Sequence, residues 1–254
     1  MHNDNGQFHG KTALVTGASS GIGLATALAF GSKGAHVIVH YNHREAEARD
    51  VLARVCEAGG TGEVLQGDLS SMSGVRVAAQ AASGRPVDIL VNNAGSLVRR
   101  TRVLEFTPEL WEQVFTLNLT SAFFLAQAVL PGMAQRGSGV IVNVSSVAAR
   151  NGGGLGALAY SAAKGALSTA TKGLAKEFAP QGIRVNAVSP GTIDTDYHQT
   201  FSTAAMLDAV RAATPMGRMG TSEEIAEVIV FLASDAARFI QGQVIEVNGG
   251  FLMA

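Results

Sequence analysis

Seven short β-branched runs, each separated from the next by a longer segment, constrain this chain more than any other feature. They fall at 12–16 (TALVT), 36–40 (HVIVH), 63–66 (EVLQ), 88–92 (DILVN), 140–144 (VIVNV), 183–188 (IRVNAV) and 243–247 (QVIEV). Several are apolar on successive residues, the pattern of parallel strands covered on both faces. Helical patterns lie between most of them, near 21–33, 44–58, 72–82, 107–135, 160–179 and 222–234. The fourth helical segment is expected to bend near Leu117 and Asn118, and Pro180-Gln181-Gly182 stops the fifth. Alternation of this kind implies βαβ crossovers, hence an α/β fold built on one doubly wound, seven-stranded parallel sheet with helices on both faces. No repeat, low-complexity tract or long linker divides the chain, so residues 1–254 read as a single domain.

Composition narrows the function classes. The 254 residues are 47% hydrophobic and 15% charged, with 19 Lys+Arg against 20 Asp+Glu. That excludes disorder, and it supplies no basic stripe for a nucleic acid. Cys56 is the sole cysteine, which rules out an intrachain disulfide framework and suits a reducing cytoplasm. Residues 1–11 are polar and lack a signal-peptide core. The most apolar run, 122–130 before Pro131, is about half the ~18 residues of a membrane helix. A soluble cytoplasmic protein without membrane or nucleic-acid partners is the expectation.

Thirty glycines are the compositional oddity. Three of them, Gly17, Gly21 and Gly23, stand in TGASSGIG, directly after the first strand and at the start of the first helix. In that context they supply a tight turn, a close backbone approach and tight helix–sheet packing, leaving free N–H groups for a pyrophosphate. A tight βα turn without any ligand is the competing reading. An ATPase-type phosphate loop is excluded, because no Gly-Lys-Ser/Thr follows.

The spacing T-G-x-x-x-G-x-G resembles that of the short-chain dehydrogenase/reductase family, and further motifs extend the resemblance over nearly the whole chain. They are NNAG at 92–95, Asn118 in FTLNL, Ser146 after IVNVS, Tyr160 and Lys164 in Y-x-x-x-K, Pro190-Gly191 in RVNAVSPGTIDTD, and the tail GQVIEVNGGF. The resemblance implies a Rossmann-type fold and a nicotinamide cofactor held by Gly17, Ser19, Ser20, Gly21, Ile22 and Gly23. It adds Asp68 and Leu69 at the adenine, Asn92, Ala94 and Gly95 closing the cleft, then Pro190, Gly191, Ile193 and Thr195. Asp68 also reads as a helix N-cap, and Asn92 as a brace within the sheet. A carboxylate at the end of the second strand would select NAD. The sequence there is His40-Tyr41-Asn42-His43-Arg44, with no acid before Glu45. Asn42 and Arg44 suit a 2′-phosphate, although Ser20 stands where many NADP-using relatives carry a basic residue. NADP(H) is favoured and NAD(H) possible.

Tyr160 and Lys164 are four apart on a helix and share one face. A free phenol titrates near ~10, and a neighbouring ammonium lowers that value. The resemblance makes Tyr160 the proton donor to a ketone and has Lys164 tune it and hold the nicotinamide ribose. It also has Ser146 hold the substrate oxygen and Asn118 anchor a water that relays protons. Ser145 competes with Ser146. The fourteen-residue step from Ser146 to Tyr160 is one longer than the common family spacing, and the glycine-rich segment 150–159 can absorb the extra residue.

Other chemistries fail. The histidines at 2, 9, 36, 40, 43 and 198 show no metal-ligand spacing, so no metal is expected; Ser146 lies in no G-x-S-x-G elbow; and Cys56 reads as inert. Residues 192–217 resemble the family's lid, with Thr192 and Ile193 near the nicotinamide amide, polar Asp194, Asp196, His198 and Gln199, and apolar Phe201, Met206 and Leu207. Such a pocket suits a small polar ketone, a sugar or an acyl thioester. Helices at 107–135 and 160–179 carry little charge on any face, which predicts burial between subunits and, with the resemblance, a homotetramer. The leading expectation is an NADP(H)-dependent oxidoreductase acting on a ketone or secondary alcohol, a 3-oxoacyl-thioester reductase or a sugar or polyol dehydrogenase. A non-catalytic nucleotide sensor on the same fold is the alternative from another class.

Overall fold

A computed structural model describes residues 6–195 and 201–253. Its seven strands are β1 (Thr12–Val15), β2 (His36–Tyr41), β3 (Thr61–Gln66), β4 (Ile89–Asn92), β5 (Gly139–Val144), β6 (Ile183–Pro190) and β7 (Val244–Val247). They form one sheet in the order β3-β2-β1-β4-β5-β6-β7, every pair parallel. The order reverses between β1 and β4, which opens a crevice at the carboxyl ends of those strands. β3 starts two residues earlier than the sequence pattern suggests, because Thr61 pairs with His36 at the foot of β2.

The described helices are α1 (Gly21–Gly31), α2 (Glu45–Glu57), α3 (Met72–Ser83), α4 (Pro108–Phe115), α5 (Ser121–Arg136), α6 (Ala148–Asn151), α7 (Leu158–Phe178), α8 (Ala204–Ala213) and α9 (Ser222–Ala233). Strand side chains alternate between the two sheet faces. Ala13 and Val15 face a core shared with Phe30, Val51, Val55, Ile229 and Leu232 of α1, α2 and α9. Leu14 faces the other core, with Val75, Leu125, Met133 and Ala175 of α3, α5 and α7. Each layer thus buries the apolar stripe of its helices against a β-branched face.

Two expectations change. The segment 107–135 does not simply bend: a π-helical turn at Thr116–Thr120 joins α4 to α5. The resulting run Pro108–Arg136 is long and apolar enough by composition to cross a membrane, yet Leu125, Ala126, Val129, Leu130 and Met133 lie buried in the second core. The helical patterns read from the sequence leave out α8, which forms within the segment resembling a lid, where Thr203 caps it by accepting from the Met206 N–H. Asp196, His198 and Gln199 fall outside the described residues.

One long-range contact locks the far edge. Arg184 on β6 donates from Nη1 to the carbonyls of Leu232 (2.6 Å) and Ala237 (3.2 Å), and from Nη2 to those of Ala233 (3.2 Å) and Ser234 (3.0 Å). It satisfies the carbonyls of Leu232 and Ala233, which the end of α9 leaves unpaired, and adds a second donor to those of Ser234 and Ala237. Arg184→Met is expected to lower unfolding free energy by about 3 kcal/mol, measured by urea denaturation; a loss within 0.5 kcal/mol, the usual scatter of neutral surface changes, would contradict this.

Candidate active site

The loops that leave the carboxyl ends of β1 to β6 converge on one cleft of about 760 Å³. Its first wall is the glycine loop. Gly17 and Gly21 have φ of +62° and +53°, a conformation that favours glycine. Gly23 does not line the cleft; it sits behind the loop, where a Cβ would lie 2.3 Å from the Gly17 carbonyl. Ser19, Ser20, Gly21 and Ile22 do line it. Ser20 is the N-cap of α1 and makes no side-chain capping bond. The helix therefore presents its first N–H groups and its positive dipole end to the cleft.

The loop is braced from below. Thr16 Oγ1 accepts from the N–H groups of Asn93 (2.9 Å) and Ala94 (3.0 Å), and Asn93 Nδ2 donates to the Thr16 carbonyl at 2.8 Å. His40 Nδ1 accepts from the Gly17 N–H at 3.2 Å. Burial pushes the His40 imidazole down to about 4, so the ring stays neutral and keeps that acceptor at ordinary pH. The sequence marks His40 only as a strand-end residue; its bond to Gly17 depends on the β1–β2 register.

Asn42 and Arg44 line the cleft at the end of β2. Asn42 Nδ2 donates to Asp68 Oδ1 at 3.1 Å, and Ser70 donates to the same oxygen from N (2.9 Å) and Oγ (2.7 Å). Burial would raise the Asp68 carboxyl, but the bonds from Ser70, helped by Ser71, hold it below its usual range. Asp68 itself is neither a cleft-lining residue nor the helix cap: Leu69 lines the cleft, and Ser71 caps α3. Asp68 acts through Asn42, whose orientation it fixes.

At the other end, Ser146 and Tyr160 line the cleft together. Burial raises the Tyr160 phenol above its ordinary value, and the neighbouring Ser146 hydroxyl opposes that shift. Lys164 is buried one helical turn on, its Nζ donating to the Val144 carbonyl at 2.7 Å and lying 5.8 Å from the Tyr160 ring centre. Burial lowers the ammonium to about 8. Ser145 turns away from Tyr160, bonding the Lys164 carbonyl (3.1 Å) and Ser168 Oγ (2.7 Å). Gly95 leaves room for this centre: a Cβ there would lie 2.7 Å from Asn118 Oδ1 and 2.9 Å from Lys164 Nζ.

Two residues have structural bonds that their motifs do not specify. The Asn118 side chain donates to the carbonyls of Ser96 and Val114 (both 2.8 Å) and accepts from the Ser96 N–H (3.1 Å). It pins the β4 loop to the π-turn. Asn92 is buried in the sheet, donating to Asn143 Oδ1 at 2.9 Å and to the Ala122 carbonyl at 3.3 Å. Pro190, Gly191, Thr192, Ile193 and Thr195 close the cleft after β6, and Ala94 does so after β4. Sequence reasoning missed Arg100 and Phe251, which also line it; Arg100 stands in no recognisable motif, and Phe251 ends the tail GQVIEVNGGF. No described cluster of His, Cys, Asp or Glu could hold a metal ion.

A dinucleotide-binding crevice ending in a Ser–Tyr–Lys centre defines a nicotinamide-dependent oxidoreductase of the doubly wound type. Residues 17–252 match the family model described as enoyl-(acyl carrier protein) reductase. An uncharacterised oxidoreductase of Escherichia coli (strain K12) is 41% identical over 94% of this chain and 98% of its own length. The 3-oxoacyl-[acyl-carrier-protein] reductase FabG of the same organism is 40% identical over 97% and 99%. Among solved structures, a provisionally assigned NAD(P)-dependent gluconate 5-dehydrogenase of Beutenbergia cavernae, with bound NADP, superposes with a TM-score of 0.90 at 38% identity, covering 97% of this chain and 98% of that one. The chain belongs to the short-chain dehydrogenase/reductase family.

Proposed function

We propose that the protein interconverts a ketone and a secondary alcohol with NADP(H), accepting NAD(H) less well, and that Tyr160 transfers the proton. The observation that carries this reading is the convergence of Ser146, Tyr160 and the buried Lys164 in the same cleft as the glycine loop. The cradle fits a dinucleotide: no Cβ projects from Gly17 or Gly21, and Ser20 leaves the α1 N–H groups uncapped. When bound, the nicotinamide supplies or accepts the hydride. Gly17, Ser19, Ser20, Gly21 and Ile22 hold the pyrophosphate, and Gly23 keeps the loop compact. Leu69, Ala94 and Gly95 form the adenine and ribose walls with Asn42 and Arg44, while Pro190, Gly191, Ile193 and Thr195 close over the nicotinamide side. Asn92, Asp68 and Asn118 act as positioning residues through the bonds described above.

The chemistry follows from the electrostatics. Ser146 donates to the carbonyl oxygen of the substrate and holds it beside Tyr160. The burial-raised phenol is protonated at neutral pH and can give its proton to the developing alkoxide. Lys164 remains a cation below about 8 and stabilises the phenolate left behind. The reverse reaction needs that phenolate at the start. Alcohol oxidation is therefore expected to gain on ketone reduction as pH rises from neutral.

Relatives crystallised with NADP support the cofactor choice, although one structural relative is an NADH-dependent reductase. Arg44→Ala is expected to cut the NADPH-over-NADH ratio of kcat/KM by about 10- to 100-fold, the worth of a charge-assisted bond to phosphate. An unchanged ratio, or faster turnover with NADH in the parent protein, would refute the 2′-phosphate assignment. We further read the chain as one domain, cytoplasmic, and assembled as a homotetramer. Trp111, Phe123 and Leu158, exposed on α4, α5 and α7, supply the apolar surface for that assembly.

A further inference from the structure

The cleft is electrostatically one-sided. Arg44, Arg100 and Lys164 line it with His40 and His43, and among the described residues no Asp or Glu does. Yet the whole chain is balanced, at 19 basic and 20 acidic residues. Arg44 and Lys164 have their uses at the cofactor ribose and at Tyr160. Arg100 has none in the reaction described above. Its Nε donates to the Phe201 carbonyl at 2.6 Å and its Nη1 to the Leu155 carbonyl at 2.9 Å. Both partners are neutral, and no described carboxylate pairs with it.

The backbone is bent to place this side chain. Val98, with φ of +61°, is the one described non-glycine residue at positive φ, and a β-branched residue is strained there. The Arg99 N–H closes on the Leu97 carbonyl at 2.6 Å, and the Val98 N–H donates to Ser96 Oγ at 3.0 Å. The turn is thus complete within a few residues. The glycine-rich segment that carries the extra residue is shaped around the stem of Arg100. Gly156, with φ of +77°, sits close against it: a Cβ would lie 3.1 Å from the Thr101 nitrogen and 3.3 Å from Arg100 Cβ. Strain of this kind beside a reaction centre persists where surrounding structure enforces it, and it points to a function.

We propose that Arg100 receives a carboxylate carried by the substrate, so that the enzyme works on oxo acids and their hydroxy-acid counterparts in preference to uncharged ketones. The proposal rests on the oxidoreductase reading above. A guanidinium presents parallel donors that match a carboxylate, and a charged acceptor outcompetes the neutral carbonyls of Phe201 and Leu155. Because nothing acidic lines the described cleft, the incoming anion meets no like charge there.

The test compares matched pairs: 5-keto-D-gluconate against L-sorbose, and 4-oxopentanoate against its methyl ester, each with NADPH. The acid is expected to win by about 10- to 100-fold in kcat/KM in at least one pair. Arg100→Met should bring that ratio to within about 2-fold through a higher KM for the acid, and Arg100→Lys should keep part of it. Equal use of acid and uncharged partner by the parent protein, or a preference that survives Arg100→Met, would overturn the proposal. So would an Arg100 dependence seen only for acetoacetyl-CoA and not for acetoacetyl-N-acetylcysteamine or the acids, which would assign Arg100 to a carrier phosphate. Calorimetric titration of D-gluconate into the Tyr160→Phe protein with NADP+ separates this from the chemistry. Binding weakened at least 10-fold by adding Arg100→Met supports the site, whatever the activity of Tyr160→Phe; equal binding, or none to either protein, refutes it.

Discussion

Tyr160→Phe is expected to lower kcat by about 10³-fold, within the usual range for losing a positioned proton donor, while NADPH affinity changes by less than about 3-fold. The phenol makes this split possible. Its hydroxyl lies in the cleft with Ser146, whereas the residue packs against the cluster of Leu110, Val114 and Ala159, contacts that phenylalanine keeps. The folded cleft should therefore survive intact, with only the proton missing. Steady-state kinetics with a ketone, paired with fluorescence titration of NADPH, reads both halves. Full activity in the variant would remove Tyr160 from the mechanism; joint loss of cofactor binding would make its role structural.

Lys164→Met is expected to act on two properties in opposite directions. Activity should fall by about 10²- to 10⁴-fold, because the phenolate of Tyr160 loses its stabilising cation. Stability of the cofactor-free protein should rise. Lys164 is 2% exposed, burial lowers its ammonium from 10.5 to about 8, and its one described hydrogen bond goes to the Val144 carbonyl. An ammonium held in that setting is destabilising at neutral pH, and its folded-state value below the unfolded one means that the cost fades as pH rises from about 8 through the unfolded value. Replacing it by an unbranched apolar side chain of similar length should stabilise by on the order of 2 kcal/mol, a rise of roughly 4–8 °C in Tm for a domain of this size. Thermal unfolding at pH 7 checks it. A lower Tm would mean that the ammonium is a net structural asset, and the account of a strained, function-directed lysine would fail.

Much of this molecule is legible in its sequence because the relevant signals are local. β-Branched runs, a glycine loop between the first strand and first helix, and Tyr160 and Lys164 at helical spacing each specify their own structure within a few residues. The parts that escape are set by distant contacts. The π-turn at Thr116–Thr120 is tied to the β4 loop by the Asn118 bonds to Ser96, which no helical periodicity reveals. Asp68 looks like a cap, yet its oxygen is shared between Ser70 and Asn42, a strand away. The strained Val98 carries no glycine or asparagine to announce positive φ, so the placement of Arg100 is visible only in the fold. Helix α8, by contrast, had a readable start in Thr203, obscured by the resemblance of its surroundings to a lid.

The central claim is that this cleft moves a hydride to a carbonyl carbon while Tyr160 moves the proton. Incubating the protein with a ketone and NADPH carrying deuterium at nicotinamide C4 tests it most directly. The account predicts deuterium on the carbinol carbon of the product alcohol in the parent protein, and at least about a hundredfold slower labelling in Tyr160→Phe. NADPH that binds tightly yet passes no label to any oxo acid, sugar or thioester would contradict it, and would mark the protein as a nucleotide sensor instead.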